Sequence, residues 1–389
     1  MLHFFKKRVR KMKKYIFKNG VKIENDYKYI FLCGSKYSTP KNKRKIDKRI
    51  ILKKFLQGYN ENNIPIILEE NFIFQRNKRK QLCYDDIFMS NLYQVELLTS
   101  FLVDNVIIIQ ESISTGAEAG LFLSSKNLWK KICLLVPDEI AVEEDKVGGF
   151  LSLAFLKESE LKKMLFYPQV EPNIVSENLR YWHTYFFNDQ IGTYLGKQII
   201  EFLGDAEQSS EIKFSRKDRL EEGYIKYKIG NSELVITANV KSLMLCISAI
   251  FSVKEFQEEF FSSTPHELNG YISILKKWLM QIFINTIEEF TGANISSCKI
   301  IPNINIKDVY TTQVIGMILY LFQAAGFIEI KKTTDYEADK QVLIVRKMTV
   351  IKNEEKEKNE ENEKSEEKRF FFYKKYSDCI CEQVEPQIV

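Results

Sequence analysis

Apolar and polar positions along the first third of the chain alternate between two periods. Residues 28–33 form a mostly apolar, β-rich run that Gly34-Ser35 ends. Residues 43–57 carry Ile46, Ile50, Ile51 and Phe55 at helical spacing, and 64–68 (IPIIL) is a short apolar run whose Pro65 suits a strand start. A helix is predicted over 86–102 from Leu92, Val95, Leu98 and Leu102, a buried strand over 104–110 (DNVIIIQ), a helix over 116–127 and another buried strand over 132–136 (ICLLV). Continuous apolar strands separated by helices imply a parallel sheet covered on both faces. The fold class expected is therefore α/β, a doubly wound parallel sheet, and its ligand belongs at the carboxyl ends of the strands.

The rest of the chain reads as a mostly helical α+β region. Residues 175–204 are aromatic-rich and helical, and 224–238 alternate around Gly230-Asn231 as a hairpin. Helices are predicted over 241–261, over 266–290 behind Thr264-Pro265, and over 308–325 up to Gly326. The runs 327–332 (FIEIKK) and 341–346 (QVLIVR) then flank a polar loop. A helix followed by a β-ribbon suits a winged-helix end, and equally any small α+β cap. These patterns divide the chain into an arm (1–27), an α/β domain (28–165), a helical α+β region (170–305), a winged-helix-like segment (306–347) and a tail (348–389).

Charge sharpens the two ends. The 389 residues include 57 Lys+Arg and 52 Asp+Glu, for a net charge of +5. Eight basic residues and no acidic one fall within 6–18. Lys6, Lys7, Arg8, Arg10, Lys11, Lys13 and Lys14 either bind phosphate backbones by counterion release or form a solvated, frayed terminus. Residues 352–368 are Glu/Lys/Asn low complexity without an apolar residue, so removing everything from Lys352 onward is expected to leave a folded chain. The aromatic segment 369–376 that follows would dock on the body or on a partner. Seven scattered Cys, no CxxC and three distant His argue against a disulfide scaffold and against a zinc site of ordinary spacing. No apolar run spans a bilayer and the basic start lacks an apolar stretch behind it, so a cytoplasmic protein is expected.

Candidate chemistry collects after the strands. Cys33-Gly34-Ser35-Lys36-Tyr37 follows the first, Glu69-Glu70-Asn71 the second, and 111–120 (ESISTGAEAG) the third. Gly34 permits close backbone approach, and Ser35 with the N–H groups beyond it can hold a phosphate or a sugar hydroxyl. Neither GxGxxG nor a Gly-Lys-Ser/Thr loop is present, so no dinucleotide fingerprint or Walker A motif is supported. Ser112, Ser114 and Thr115 stand at the mouth of a helix holding Glu118. Thr115-Gly116-Ala117-Glu118 also fits a capping box, so Glu118 is either a cap partner or a functional carboxylate. Gly116 and Gly120 within one turn suggest close approach by a ligand or by the sheet.

The stretches IFLCGS, LEEN, VEL and DNVIIIQESISTGAEAGLF together resemble the nucleoside 2-deoxyribosyltransferase-like fold, and within it the effector proteins of bacterial retron anti-phage systems. The resemblance covers about 30–140. It implies a catalytic glutamate at Glu118 and a nucleotide-binding first loop at Gly34 and Ser35. It also implies acidic groups at Glu69, Glu96 and Asp104, and the Glu-Ser turn at Glu111-Ser112. Where the family often has a Gly-Thr or Gly-Ser pair, this chain has Ser114-Thr115.

The resemblance implies a toxin that cleaves the N-glycosidic bond of NAD+ or a related nucleotide. A reverse transcriptase and its RNA–DNA hybrid would hold it inactive, and a higher-order oligomer is compatible with it. Glu118 would be the nucleophile or electrostatic stabiliser. Tyr37, Glu69, Glu96, Asp104, Glu111, Ser112, Ser114, Thr115 and Gly116 would join Gly34 and Ser35 in holding substrate. NAD+ would be a substrate, and no cofactor or metal is expected. Two other readings stay open: a nucleotide-sensing module without chemistry, and a deoxyribosyltransferase exchanging bases.

Overall fold

A computed structural model describes residues 11–34, 47–71, 84–110, 112–138, 163–168, 186–187, 190–204, 209–216, 224–264, 267–295, 297–304, 306, 309–335, 340–347 and 372–386. The chain forms two compact units, one of residues 1–23 with 210–389 and one of residues 24–209. The first unit is thus interrupted by the second. This division differs from the one drawn on sequence, because the chain's first strand belongs with its last.

That first strand, β1 (Lys11–Phe17), is followed by the short β2 (Lys22–Ile23). The second unit then opens with β3 (Lys28–Cys33), buried along its whole length. Asp47 caps α1 (Lys48–Tyr59) by accepting from the Arg49 N–H, and β4 (Asn63–Ile66) leads into the single turn α2 (Leu68–Asn71). Residues 64–68 therefore do not stay extended to the end: Glu69 and Glu70 lie in a helical turn. The helix predicted over 86–102 begins later, as α3 (Leu92–Leu102), because Asn91 caps it. Then come β5 (Asn105–Ile109), α4 (Ile113–Leu123), β6 (Ile132–Asp138) and β7 (Lys163–Pro168), a strand the hydropathy pattern does not announce. Within 175–204, read from the sequence as helical, residues 175–185 lie outside the described residues; the described ones hold a short antiparallel pair, β8 (Phe186–Phe187) with β9 (Gln190–Ile191), before α5 (Thr193–Leu203).

Five of these strands make one parallel sheet in the order β4-β3-β5-β6-β7. In order of appearance that is 2-1-3-4-5, so the chain reverses its direction of travel across the sheet between β3 and β5. Ile30, Leu32, Ile107 and Ile109 pack on one face with Leu52 and Leu56 of α1 and Leu195 and Ile199 of α5. Phe31 alternates to the other face, where its ring meets Phe122 of α4 edge-on at 6.1 Å. Period-two alternation of fully apolar strands sends large side chains both ways, so both faces need helical cover.

The chain returns to the first unit through β10 (Ser210–Glu211), antiparallel to β2. A four-stranded sheet follows in the order β11-β12-β13-β14, of Phe214–Arg216, Ile225–Ile229, Glu233–Ala238 and Lys299–Ile304. The β12–β13 pair is the hairpin read from the sequence; β14 adds to it in parallel. The predicted helix 241–261 is two, α6 (Val240–Phe251) and α7 (Lys254–Ser262), since Ser252 closes the first. Gly292, with φ 65°, ends the long α8 (Leu268–Thr291). α9 (Thr311–Ala324) precedes the antiparallel ribbon β15 (Ile328–Asp335) and β16 (Lys340–Lys347). Helix and ribbon thus stand in the expected order. No helix among the described residues is long and apolar enough to cross a membrane.

The last strand, β17 (Ile380–Pro386), pairs antiparallel with β1 from Lys11 opposite Pro386 to Phe17 opposite Ile380. The start of the chain is fastened a second time. The Phe17 N–H donates to Thr286 Oγ1 at 2.9 Å, and Asn285 Nδ2 donates to the Tyr15 carbonyl at 2.9 Å, both on α8. Residues 11–17 are therefore not a frayed arm. Phe372 is fully buried, its ring stacked on Phe327 at 4.1 Å and in contact with Phe251 and Phe322. The Tyr373 hydroxyl donates to the Phe327 carbonyl at 2.7 Å. The expectation that everything past Lys352 is dispensable is thereby overturned: residues 352–368 lie outside the described residues, but beyond them the chain supplies a core aromatic and a strand. Phe372→Ala should cost about 3–5 kcal/mol of stability, the usual range for a buried phenylalanine. Truncation after residue 371 should lower the melting temperature further. Denaturant unfolding checks both, and an unchanged midpoint would show that the tail contributes nothing.

Candidate active site

At the carboxyl end of β3, an open cleft is lined by Cys33, Gly34, Arg49, Glu69, Glu96 and Glu118, with Phe31, Leu32, Leu68 and Leu92 supplying the apolar wall. Five elements converge there. β3 brings Cys33 and Gly34; α1, α2, α3 and α4 bring Arg49, Glu69, Glu96 and Glu118 respectively. The place is the crevice where strand order reverses, which is where open α/β sheets bind ligands.

Arg49 organises the cleft. It is 1% exposed, and its guanidinium is shared between two carboxylates. Nη1 donates to Glu69 Oε1 at 2.8 Å, Nη2 to Asp47 Oδ2 at 2.9 Å and Nε to Asp47 Oδ1 at 3.1 Å. Gly34 makes room for it: a Cβ there would lie 2.8 Å from Arg49 Cδ and 2.9 Å from Nε. The close approach that Gly34 permits is thus to a side chain of the protein itself. Glu70, adjacent to Glu69, turns to an ion pair with Lys53.

Two of the carboxyls are strongly perturbed. Burial, followed by the charges of Glu118 and Glu69, pushes Glu96 up to about 8. Burial and the charge of Glu69 push Glu118 up to about 7, against the opposing pull of Arg49. Glu118 Oε2 is buried and has no hydrogen-bond partner among the described residues. The Cys33 thiol is held well above its ordinary value by burial and by the neighbouring carboxylates, so it is neutral and a poor nucleophile. The arrangement offers a carboxyl that keeps its proton near neutrality, beside a second that ionises slightly more easily. Both are pushed toward neutrality, where carboxyls can hold or release a proton at physiological pH. Among the described residues, no group of three or more His, Cys, Asp or Glu is placed to hold a metal ion.

The structure brings Gly34, Glu69, Glu96 and Glu118 together and leaves several candidates elsewhere. Asp104 accepts the Tyr29 N–H at 2.8 Å and returns its own N–H to the Tyr29 carbonyl. This ties the amino ends of β3 and β5, about 13 Å of strand away from the carboxyl end of β3. The capping box of α4 joins Ser112 to Thr115, which exchange backbone and hydroxyl hydrogen bonds at 3.1 and 3.3 Å. Their hydroxyls serve the helix end, and Glu118, a turn further on, is not the cap partner. Gly116 faces the Gln110 amide, and a Cβ on Gly120 would meet open space, so the pair marks no common close approach. Ser35, Tyr37 and Glu111 lie outside the described residues, as does the side chain of Ser114. Arg49 and Asp47 escape the sequence reading; their only signal is an Asp at a helix cap two residues before the Arg.

Of the basic positions at the start of the chain, Lys6, Lys7, Arg8 and Arg10 lie outside the described residues, as does the side chain of Lys11. Lys13 pairs with Glu255 and with Glu382 at 3.1 Å, and Lys14 with Glu288 at 3.9 Å.

A parallel α/β sheet with a carboxylate cleft at its topological reversal is a common frame, and the comparison with known proteins narrows it. The chain belongs to the STM3845 retron effector protein family, whose pattern it matches over residues 45–352. It is also similar to an Escherichia coli protein named "Retron Ec73 putative ribosyltransferase/DNA-binding protein", with 35% identity over 123 residues, 31% of this chain and 36% of the relative. The similarity thus spans about a third of that relative's length.

The carboxyl shifts carry a stability signature. Glu96 and Glu118 bind protons more tightly folded than unfolded, so their stabilising effect is complete below about 4.5 and is lost as pH rises toward about 8. Glu96→Gln, which cannot ionise, should therefore gain stability over the wild type at pH 8.5 and little at pH 4.5. Urea unfolding at the two values checks this; a difference that does not grow with pH would mean that Glu96 is solvated.

Proposed function

We propose that the 24–209 unit is a nucleoside deoxyribosyltransferase-like, doubly wound domain. In this reading it cleaves the N-glycosidic bond of NAD+ or a related nucleotide through Glu118, and the chain is the toxic effector of a retron anti-phage system. The observation that carries the reading is the cleft itself: three glutamates and a buried arginine at the strand reversal, with Glu118 half-buried and one of its oxygens unpartnered among the described residues.

Breaking the C1′–N bond sends its electron pair to the base and leaves positive charge on the ribose. An ionised Glu118 stabilises that charge or adds to C1′ as a glycosyl ester, which water then hydrolyses. A nicotinamide base already carries a positive charge and departs neutral. Other bases need a proton, which Glu96 holds near neutral pH. The name of the E. coli relative, a ribosyltransferase and DNA-binding protein, supports the same pairing of activities.

In this proposal a reverse transcriptase and its RNA–DNA hybrid hold the effector inactive. The first unit, with its basic start and its helix-then-ribbon segment read as a winged helix, contacts that nucleic acid. Lys13 and Lys14 already have acidic partners, so the phosphate-binding charge falls mainly to Lys6, Lys7, Arg8 and Arg10.

The test is nucleotide consumption by purified protein, followed by mass spectrometry with NAD+ and a panel of nucleotides. Glu118→Gln should lower cleavage by orders of magnitude while leaving the fold intact. Glu70→Gln, which breaks only the pair with Lys53, should retain activity and lose at most about 1 kcal/mol of stability. If Glu118 must be ionised and Glu96 protonated, activity rises as pH passes about 7 and declines beyond about 8, a narrow bell. Full activity in Glu118→Gln would sink the assignment, and product formed only with an added base acceptor would make the enzyme a transferase. Separately, replacing Lys6, Lys7, Arg8 and Arg10 by Gln should weaken hybrid binding and flatten its salt dependence; an unchanged salt slope would remove the arm from the interface.

A further inference from the structure

Arg49 supplies the one positive charge among the described residues that line the cleft, and its path is dictated at three points. Its guanidinium forks between Asp47 and Glu69. Asp47 is itself fixed as the N-cap of α1, accepting the Arg49 N–H at 2.9 Å. In the middle, Cδ and Nε pass over Gly34, where any Cβ would collide. At 1% exposure this is no surface ion pair, and the planar fork between two carboxylates is geometry that lysine cannot reproduce.

Building on the N-glycosidic reading above, we propose that Arg49 is the positioning residue of the cleft: anchored on Asp47 and threaded past Gly34, it fixes the Glu69 carboxylate and balances its charge beside Glu118. The groups acting on one another here come from every side. Glu69 is on α2, Glu96 on α3 and Arg49 on α1, while β3 brings the neutral Cys33 thiol. Like carboxylates sharing a site suppress one another's ionisation, and a neighbouring cation restores it. Without the guanidinium, the charge of Glu69 would act on Glu118 unopposed and hold it further toward its protonated form, a poor nucleophile. Glu69 in this scheme does not react; its carboxylate is held in place by Arg49.

The experiment is a carboxyl titration followed by NMR on the full chain labelled at glutamate Cδ, with the Glu118 signal identified by its loss in Glu118→Gln. In the wild type it should titrate well above the ordinary carboxyl range, at about 7. In Arg49→Met it should move up by about one pH unit or more, which is at least tenfold in the ionised fraction on the acid side. Arg49→Lys, which keeps the charge, should move it less. Arg49→Met/Glu69→Gln, which removes both charges, should bring it back toward the wild-type value. Cleavage at pH 7 should fall about fivefold or more in Arg49→Met, and the acid limb of its pH profile should shift up by about one pH unit or more. An unmoved Glu118 in Arg49→Met, or a double variant titrating as high as the single one, overturns the proposal. Should Arg49→Met not fold, Gly34→Ala decides. It displaces the guanidinium without deleting a charge, and an unmoved Glu118 there overturns the proposal equally. Absence of nucleotide cleavage by the wild type would instead strike the functional reading, and the titrations would still decide the role of Arg49.

Discussion

Carboxylates taken out of water resist ionisation, and a site that needs one of them charged must bring a cation with it. In the 24–209 unit that constraint reaches well beyond the cleft. A guanidinium at 1% exposure requires partners for its donors, and Asp47 and Glu69 provide them. Asp47 can do so because it is already immobilised as a helix cap. Glu69 can because the chain coils at 68–71 directly after β4, placing Glu69 toward the cleft and Glu70 toward Lys53. Gly34 is glycine because the arginine stem passes there. A loop position, a cap, a turn and a buried base are therefore one device.

The sheet gives that device its rigidity. Burying β3 and β5 along their full length leaves their ends fixed to within side-chain packing. The helices bearing Arg49 and Glu118 are held on opposite faces, with Leu52 and Leu56 of α1 on one and Phe122 of α4 on the other. Sites built on such elements keep their geometry better than sites carried by loops alone.

How much of this could be read from residues alone depended on whether the signal was local. Apolar runs such as Val106–Ile109 declare buried strands, and Gly34, Glu69 and Glu118 follow directly after such runs, so the sheet and most of the cleft were legible. β7 and β14 were not. KMLFYP and KIIPNI are short and each carries a proline, and β14 finds its partner β13 more than sixty residues earlier in the chain. Arg49 was illegible because a buried arginine runs against the usual distribution and is betrayed only by its partners. The capping pattern misled for a related reason. Both Ser112 with Thr115 and Thr115 with Glu118 have the right spacing, and only the true helix start chooses between them. At the chain's end, a charged low-complexity stretch made the aromatics beyond it look appended, whereas Phe372 packs on Phe327 and β17 on β1.

The 24–209 stretch leaves the host unit after β2 and returns at β10, and these two strands are hydrogen-bonded neighbours, Ile23 opposite Ser210. A unit whose entry and exit are stapled together pays its loop-closure entropy once, in the host, and can be lengthened or varied internally at little further cost. The host in turn is closed by β1 and β17, so its own fold depends on both termini.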